Sequence, residues 1–271
     1  TVDLLKQIPR DKCNIIACDR CLRKLVDNEV IPDLVTNLDA GPQIRPFYKT
    51  SLPERDMLKI PAALAVCTDP HQVQWIHGPK YWYVPAITPW GNTLTEDSVN
   101  ATHYPCVPTA GNIGTASVML SRALGANPTY LLGIDFGYME YSNGLNEKAV
   151  GVETINPKEA KEWPNGNNKI HSSMVLFAYA HATRHLLITY DMNVVNIGGG
   201  VMHGPWIKTL NPTPAERGDA RARMGTFIKA LNEWKISTEL QGNRMLYLAN
   251  PRSVPAKVFM PMRRNLAKET V

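Results

Sequence analysis

Residues 109–135 read TAGNIGTASVMLSRALGANPTYLLGID, and the class of the whole chain follows from them. Gly111-Asn112-Ile113-Gly114-Thr115 is a glycine-containing loop. The apolar residues after it, Ala116, Met119, Leu120, Ala123 and Leu124, recur at helical spacing. Gly125 supplies a C-terminal stop. Thr129–Ile134 is then a short apolar run of the kind that forms a strand buried on both faces, and it ends at Asp135. A loop, a helix and a buried strand in that order are two-thirds of a βαβ unit, which implies a parallel sheet.

Working outward, the same alternation continues. Upstream, Asn14–Ala17 reads as a strand, Arg20–Asn28 as a helix, Asp33–Thr36 and Ala62–Cys67 as strands, and Tyr81–Pro85 as a short aromatic strand. Downstream, Met174–Ile188 predicts a long helix feeding a strand at Asn193–Ile197 and the Gly198-Gly199-Gly200 turn, with a late helix over Glu216–Trp234. Residues 139–170 are polar and lack strong periodicity, so they predict a lid or substrate loop. The expected fold is α/β and Rossmann-like: a mainly parallel sheet flanked by helices, with a lid-like insertion. It divides into a transferase-type domain over 1–210 and a C-terminal helix with a basic tail over 211–271.

Composition sets the outer bounds. The 271 residues are 44% hydrophobic and 20% charged, with 29 basic against 24 acidic residues and a net charge of +5. That balance excludes a disordered chain, which needs low hydrophobicity and high net charge. Glycine and proline have no period, so collagen-like sequence is excluded too. The longest uncharged apolar stretches, such as Met174–Ala182, fall short of the ~20 residues of a transmembrane helix. Basic residues are scattered apart from the tail (Arg252, Lys257, Arg263, Arg264, Lys268), and no aromatic–basic interleaving indicates nucleic-acid binding. Five cysteines, an odd number in a long chain, do not make a secreted disulfide framework. The Cys18–Cys21 pair lacks further zinc ligands at suitable spacing. It reads as core or strand-end thiols in a reducing, cytoplasmic compartment. No signal peptide precedes the first strand, and an N-terminal strand and loop are expected to lie outside the given sequence.

In open α/β sheets, polar ligands sit at the carboxyl ends of strands, near a topological switch point. The residues there are Asp19, Asn37, Asp39, Asn112 to Thr115, Asp135 to Tyr138, and Asn196 to Gly200. The 111–115 loop is the best anion candidate, because the helix after it points its positive dipole end at the loop. A plain strand–helix turn is the alternative. Asp135 is suited to catalysis, metal binding or capping of the loop backbone. Tyr138 and Tyr141 could donate to a departing phosphate or simply lie at the surface. His171 precedes Ser172-Ser173 at what reads as a helix N-terminus, where a neutral imidazole can accept a proton from an attacking hydroxyl. His181 and His185, at i and i+4, read as packed or solvated helix residues without a third ligand.

These motifs resemble a known superfamily. The run from Asn112-Ile113-Gly114 through Gly125 to Gly133-Ile134-Asp135-Phe136 is similar to the central block of the motility accessory factor (Maf) flagellin glycosyltransferases and their MptE-like relatives. It is also similar to the bacterial lipooligosaccharide sialyltransferases. Ile31–Asp39 resembles the "PD-x-V-x-x-x-D" strand of the Maf/MptE-like group, and Asn193–Gly204 its "N-x-x-GGA-x-x-x-G" turn. The matches span about residues 14–204.

The resemblance implies a Rossmann-like fold carrying a nucleotide-activated sugar, CMP-linked and of the sialic or nonulosonic acid kind. It implies nucleotide contacts at Asp19, Asn37, Asn112, Ile113 and Gly114, and phosphate contacts at Tyr138 and Tyr141. It makes His171, followed by Ser172, the general base, with no cofactor required. The partners it implies are a nucleotide-sugar donor and a glycan or protein acceptor, and a homo-oligomer is compatible with it. Asp19 stands where the sialyltransferases have Asn, and Asn112-Ile113 where they have Thr-Ser. The N-terminal Gly-Pro-Ser-type loop is absent. Two alternatives stand beside this reading. One is an MptE-like 6-hydroxymethylpterin diphosphokinase using ATP and Mg²⁺, although the acidic residues of its HAHGDN- and GGFTDGDR-like segments are missing here and only Asp39 and Asp135 remain. The other is a nucleotide-binding module without catalysis.

Overall fold

A computed structural model describes residues 2–49, 53–57, 59–86, 104–139, 161–165, 168–197, 201–202, 207–209 and 220–233. The chain divides into two compact units, one built on Arg10–Ala126 and the other on Asn127–Asn232 with Thr1–Pro9. The division falls inside the 1–210 span.

The first unit is a five-stranded, all-parallel sheet of β1 (Ile16–Cys18), β2 (Leu34–Asn37), β3 (Ala62–Ala65), β4 (Lys80–Ala86) and β5 (Cys106–Pro108). The spatial order follows the chain, and register partners include Ala17 with Val35, Thr36 with Ala63, and Leu64 with Trp82. β5 pairs with the last three residues of β4. Every residue of β2 and β3 is buried, as expected for strands covered on both faces. The order never reverses among the described strands of this unit. The expectation of a switch point is therefore not met within this sheet, although polar residues do gather at its carboxyl ends.

Helix α1 (Asp19–Val26) starts directly at the end of β1 and buries Asp19, Leu22, Leu25 and Val26, a 3–4 spacing that puts one face inward. It packs against a 3-10 helix at Pro42–Tyr48 that the sequence pattern did not reveal. Leu22, Val26, Val35, Ile44, Tyr48, Ile60, Leu64 and Ile76 form the shared core. Two one-turn helices follow, α2 (Glu54–Met57) and α3 (Pro70–Val73). Helix α4 (Ile113–Ala123) packs on β1, β2 and β5 and is buried nearly all round. It ends as predicted: Gly125 has φ +87°, its N–H donates to the Arg122 carbonyl, and the Ala126 N–H donates to the Ser121 carbonyl. This is the double bond of a Schellman terminus.

The second unit holds two small sheets. Strands β6 (Thr129–Leu131), β10 (Val194–Asn196) and β11 (Lys208–Thr209) are parallel in the order β11-β10-β6, and β7 (Tyr138–Met139), β8 (Lys161–Asn165) and β9 (Asn168–Ser172) are antiparallel in the order β7-β9-β8. Helices α5 (Met174–Thr189) and α6 (Ala220–Glu233) complete it. Part of the expected 139–170 insertion is strand. Met139, Lys161–Asn165 and Asn168–Ile170 belong to a paired sheet, held by backbone bonds that need no apolar period. Residues 140–160, with Tyr141, lie outside the described residues, as do Gly198–Gly200 and the tail beyond Glu233.

Candidate functional site

In the first unit, the carboxyl ends of the strands stand on a buried polar cluster centred on Asn37. Asn37 is the last residue of β2 and is fully buried. Its amide Nδ2 donates to Gln72 Oε1 at 2.8 Å, to Tyr48 Oη at 3.1 Å and, at 3.4 Å, to Asp19 Oδ2. Its Oδ1 accepts from Thr68 Oγ1 at 2.8 Å, and its carbonyl accepts from Tyr83 Oη at 2.9 Å. An amide so engaged positions its neighbours. Gln72 in turn donates to the Gly41 carbonyl, pinning the loop after β2. Tyr48, Thr68, Gln72 and Tyr83 were not foreseen, since they come from three separate segments with no motif in common. The start of α3 could have been read: Asp69 accepts from the His71 N–H in front of Pro70, an N-cap with proline at the first helical position.

Asp19 is 1% exposed at the junction of β1 and α1. Burial raises its carboxyl from the ordinary 3.8 to about 6, opposed by the Arg20 backbone N–H and side-chain charge and assisted by the nearby Asp39 carboxylate. Its Oδ1 accepts from the Arg20 N–H. Asp39 is half-buried and accepts from the Gly41 N–H at 2.9 Å and from the Gln43 amide, which holds the β2 loop in a turn. Thr36, Cys18 and Ser117 meet where α4 crosses the ends of β1 and β2, with Thr36 Oγ1 and Ser117 Oγ 2.6 Å apart. Burial pushes the Cys18 thiol up to about 12 and raises Cys21 as well, so neither is poised as a thiolate. Among the described residues no three potential ligands converge on a metal position.

The 111–115 loop carries the most distinctive chemistry. Asn112 is the N-cap of α4, and its Oδ1 accepts from Thr115 N–H at 2.8 Å and Thr115 Oγ1 at 3.0 Å. Those donors fix the orientation of the amide, because the reverse orientation would set NH₂ against N–H. The Nδ2 group is thereby committed to the other side, where it is buried and has no hydrogen-bond partner. A buried donor left in that state costs about 1–3 kcal/mol. The first-turn amides, those of Ile113 and Gly114 included, have no intrahelical acceptor and lie at the positive end of the helix. Just upstream, Ala110 and Gly111 both take left-handed backbone, with φ +48° and +74°. For alanine this is a strained conformation of the kind that collects at functional sites.

In the second unit, Asp135 follows β6 and is half-buried, and its carbonyl accepts from the Val201 N–H. Phe136 beside it also has positive φ, +48°, and its carbonyl accepts from Ser172 Oγ at 2.8 Å. Ser172, 1% exposed, therefore ties the end of β9 to the loop after Asp135. Tyr138 and His171 are direct register partners across β7 and β9, and His171 is also the register partner of Glu162 in β8. One detail of the sequence reading changes: His171 lies on a strand, and the N-cap of α5 is Ser173, whose Oγ accepts from the Leu176 N–H. The candidate residues thus fall into two sets, Asp19, Asn37, Asp39 and Asn112–Thr115 in the first unit and Asp135, Tyr138 and His171 in the second.

Comparison with known proteins adds the following. The family described as "6-hydroxymethylpterin diphosphokinase MptE-like" matches residues 1–141 of the 271. His171 lies outside that span. The Maf glycosyltransferase from Magnetospirillum magneticum AMB-1 is a similar solved structure, at 17% identity with a TM-score of 0.51, covering 86% of this chain. The present chain spans 37% of that protein's length, so the likeness is one of fold. No curated protein matches the sequence. Among the described residues no helix is long and apolar enough to cross a membrane.

Proposed function

The chain belongs to the MptE-like family, and on that premise we propose that it is a transferase for a nucleotide-activated sugar, CMP-linked and of the nonulosonic acid kind. The observation that carries this reading is the buried, unpartnered Nδ2 of Asn112 at the N-terminus of α4. A phosphate oxygen accepting from it would satisfy the donor while meeting the helix dipole and the first-turn amides. Asp39 and the loop it holds would border the nucleotide, with Asp19 and Asn37 beneath as positioning residues.

The chemistry runs as follows. The oxygen of an acceptor hydroxyl, on a glycan or a protein, attacks the anomeric carbon of the sugar. The bond from that carbon to the phosphate oxygen breaks, and CMP leaves with the bonding electrons. The family resemblance would give His171 the hydroxyl proton and Tyr138 the role of donor to the departing phosphate. The register pairing of Tyr138 with His171 supports assigning both to one reaction.

The family description favours a second reading, transfer of diphosphate from ATP to a hydroxymethylpterin with Mg²⁺. The residues fit it less well. Mg²⁺ in such sites rests on one or two carboxylates plus substrate oxygens. Asp19 is 1% exposed, and its two oxygens face the Arg20 N–H and the Asn37 amide, so of the two predicted site carboxylates in that unit Asp39 is the one open to a cation.

A thermal-shift panel of CMP, UDP, GDP and ATP, each with and without Mg²⁺, separates the readings. Selective stabilisation by CMP that ignores the metal is expected. A response to ATP that requires Mg²⁺ would move the assignment to diphosphate transfer. With CMP bound, His171→Ala should keep the shift and lose more than ~100-fold in transfer rate, the usual range for a general base. An unchanged rate would remove His171 from the mechanism.

A further inference from the structure

We propose that His181 and His185 on α5 form a divalent transition-metal site that is completed by the same pair from a second copy of the chain. The two imidazoles lie one helical turn apart, where side chains are neighbours with Cβ atoms about 5–6 Å apart. Both residues are exposed. That spacing lets two ring nitrogens close on one ion at the ~2.0–2.1 Å of a zinc–imidazole bond.

The surroundings say where the other ligands come from. α5 reads MVLFAYAHATRHLLIT and contains no carboxylate or cysteine, so the helix itself offers no third ligand. Its inner face is used up by Ala180, Thr183, Leu186 and Leu187, all buried. The opposite stripe is Met174, Ala178, His181, His185 and Ile188, all exposed, with Met174 at 58% and Ile188 at 54%. These positions are spaced 4-3-4-3, the repeat of a helix–helix seam. The stripe is also self-complementary. Laid antiparallel about a two-fold axis midway between His181 and His185, His181 of one copy faces His185 of the other, Ala178 faces Ile188, and the four imidazoles meet at the centre.

Area argues for the metal. A 16-residue helix is about 24 Å long and ~10–12 Å across, so the seam falls well short of the ~800 Å² per partner of a stable interface. Apolar contact alone would leave the chain monomeric, and a four-imidazole ion at the centre would add the missing stabilisation. This proposal is independent of the transferase reading.

The test is sedimentation velocity and titration calorimetry of the full chain with Zn²⁺. In EDTA the protein should sediment as a monomer. With Zn²⁺ the mass should double, at one ion per two chains. His181→Ala and His185→Ala, both helix-favouring exposed changes, should each weaken Zn²⁺ uptake at least tenfold and keep the chain monomeric, while His71→Ala should change nothing. Ile188→Glu should weaken the dimer at least tenfold while leaving both imidazoles in place. Uptake of one ion per chain without a mass change, Zn²⁺ affinity unaltered in the histidine variants, or a dimer that survives EDTA would each overturn the proposal.

Discussion

Replacing Asn112 with serine separates the two jobs this side chain is argued to do. Serine is as good an N-cap as asparagine, so its oxygen can still accept from the Thr115 N–H, which Asn112 Oδ1 now meets at 2.8 Å. What disappears is Nδ2, the buried donor without a partner. In the ligand-free protein its removal should be neutral or favourable: a gain of up to about 1–3 kcal/mol from deleting an unsatisfied donor, less the packing of one small amide. At roughly 2–4 °C per kcal/mol for a chain of this size, the melting temperature should hold or rise by a few degrees. Nucleotide affinity should move the other way. A hydrogen bond to a charged group is worth about 1.5–3 kcal/mol, so CMP should bind roughly 10- to 150-fold more weakly by calorimetry. Asn112→Ala is the companion variant. It loses the cap as well, and should melt lower by the ~0.5–2 kcal/mol a cap contributes. If Asn112→Ser binds CMP as tightly as the parent, or melts as low as the alanine variant, then Nδ2 is not the anion donor and the site lies elsewhere.

Three further outcomes follow from the geometry. Asp19 has a carboxyl raised from 3.8 to about 6 in the fold. The unfolded chain therefore releases its proton first, and this group costs the folded state stability as pH rises between about 4 and 6, by about 3 kcal/mol in full. Asp19→Asn should raise the melting temperature at pH 7.5 by part of that amount, since the 3.4 Å contact from Asn37 is lost, and the advantage should vanish at pH 4. An equal gain at both values would refute a buried ionised Asp19. Gly125→Ala should cost about 1 kcal/mol in urea denaturation, because the residue ending α4 has φ +87°. Gly78→Ala should cost about 3 kcal/mol, since its Cβ would collide with the Ile60 carbonyl, which is backbone and cannot swing aside.

The parts of the fold legible in the sequence are those with a period or a stop. Strands β1 to β4 lie in short stretches rich in apolar residues, and α1, α4 and α5 have inward residues three and four apart with readable ends such as Gly125 and Ser173. Short elements escaped. The 3-10 helix at Pro42–Tyr48 contains Pro46 and contributes only Ile44 and Tyr48 inward, too few for a pattern. β5 is three residues ending in proline. The hairpin of β8 and β9 is polar, and its pairing is specified by the backbone ladder. For the site, a strand-end rule identified Asp19, Asn37 and Asn112. It could not tell that Asn37 is sealed inside while an atom of Asn112 is left unpaired, because that depends on Tyr48, Thr68 and Gln72 arriving from distant segments.

That contrast also bears on how the first unit works. Asn37 has its donors and acceptor satisfied by protein, so the floor beneath the strand ends is rigid and locally favourable. The loop of residues 110–112 breaks two local rules within three positions, a left-handed alanine and an unpaired buried amide. Each of these costs of order 1–3 kcal/mol, against a total stability for a typical domain of only 5–15 kcal/mol. Such violations persist where the surrounding structure over-determines them and function requires them. A rigid floor under a strained, donor-rich loop is also what tight anion binding requires. The donors are already oriented, and little ordering remains to be done when the phosphate arrives. The same geometry implies that ligand binding should stabilise this unit by more than its contact area alone would give, since one buried donor is satisfied in the process.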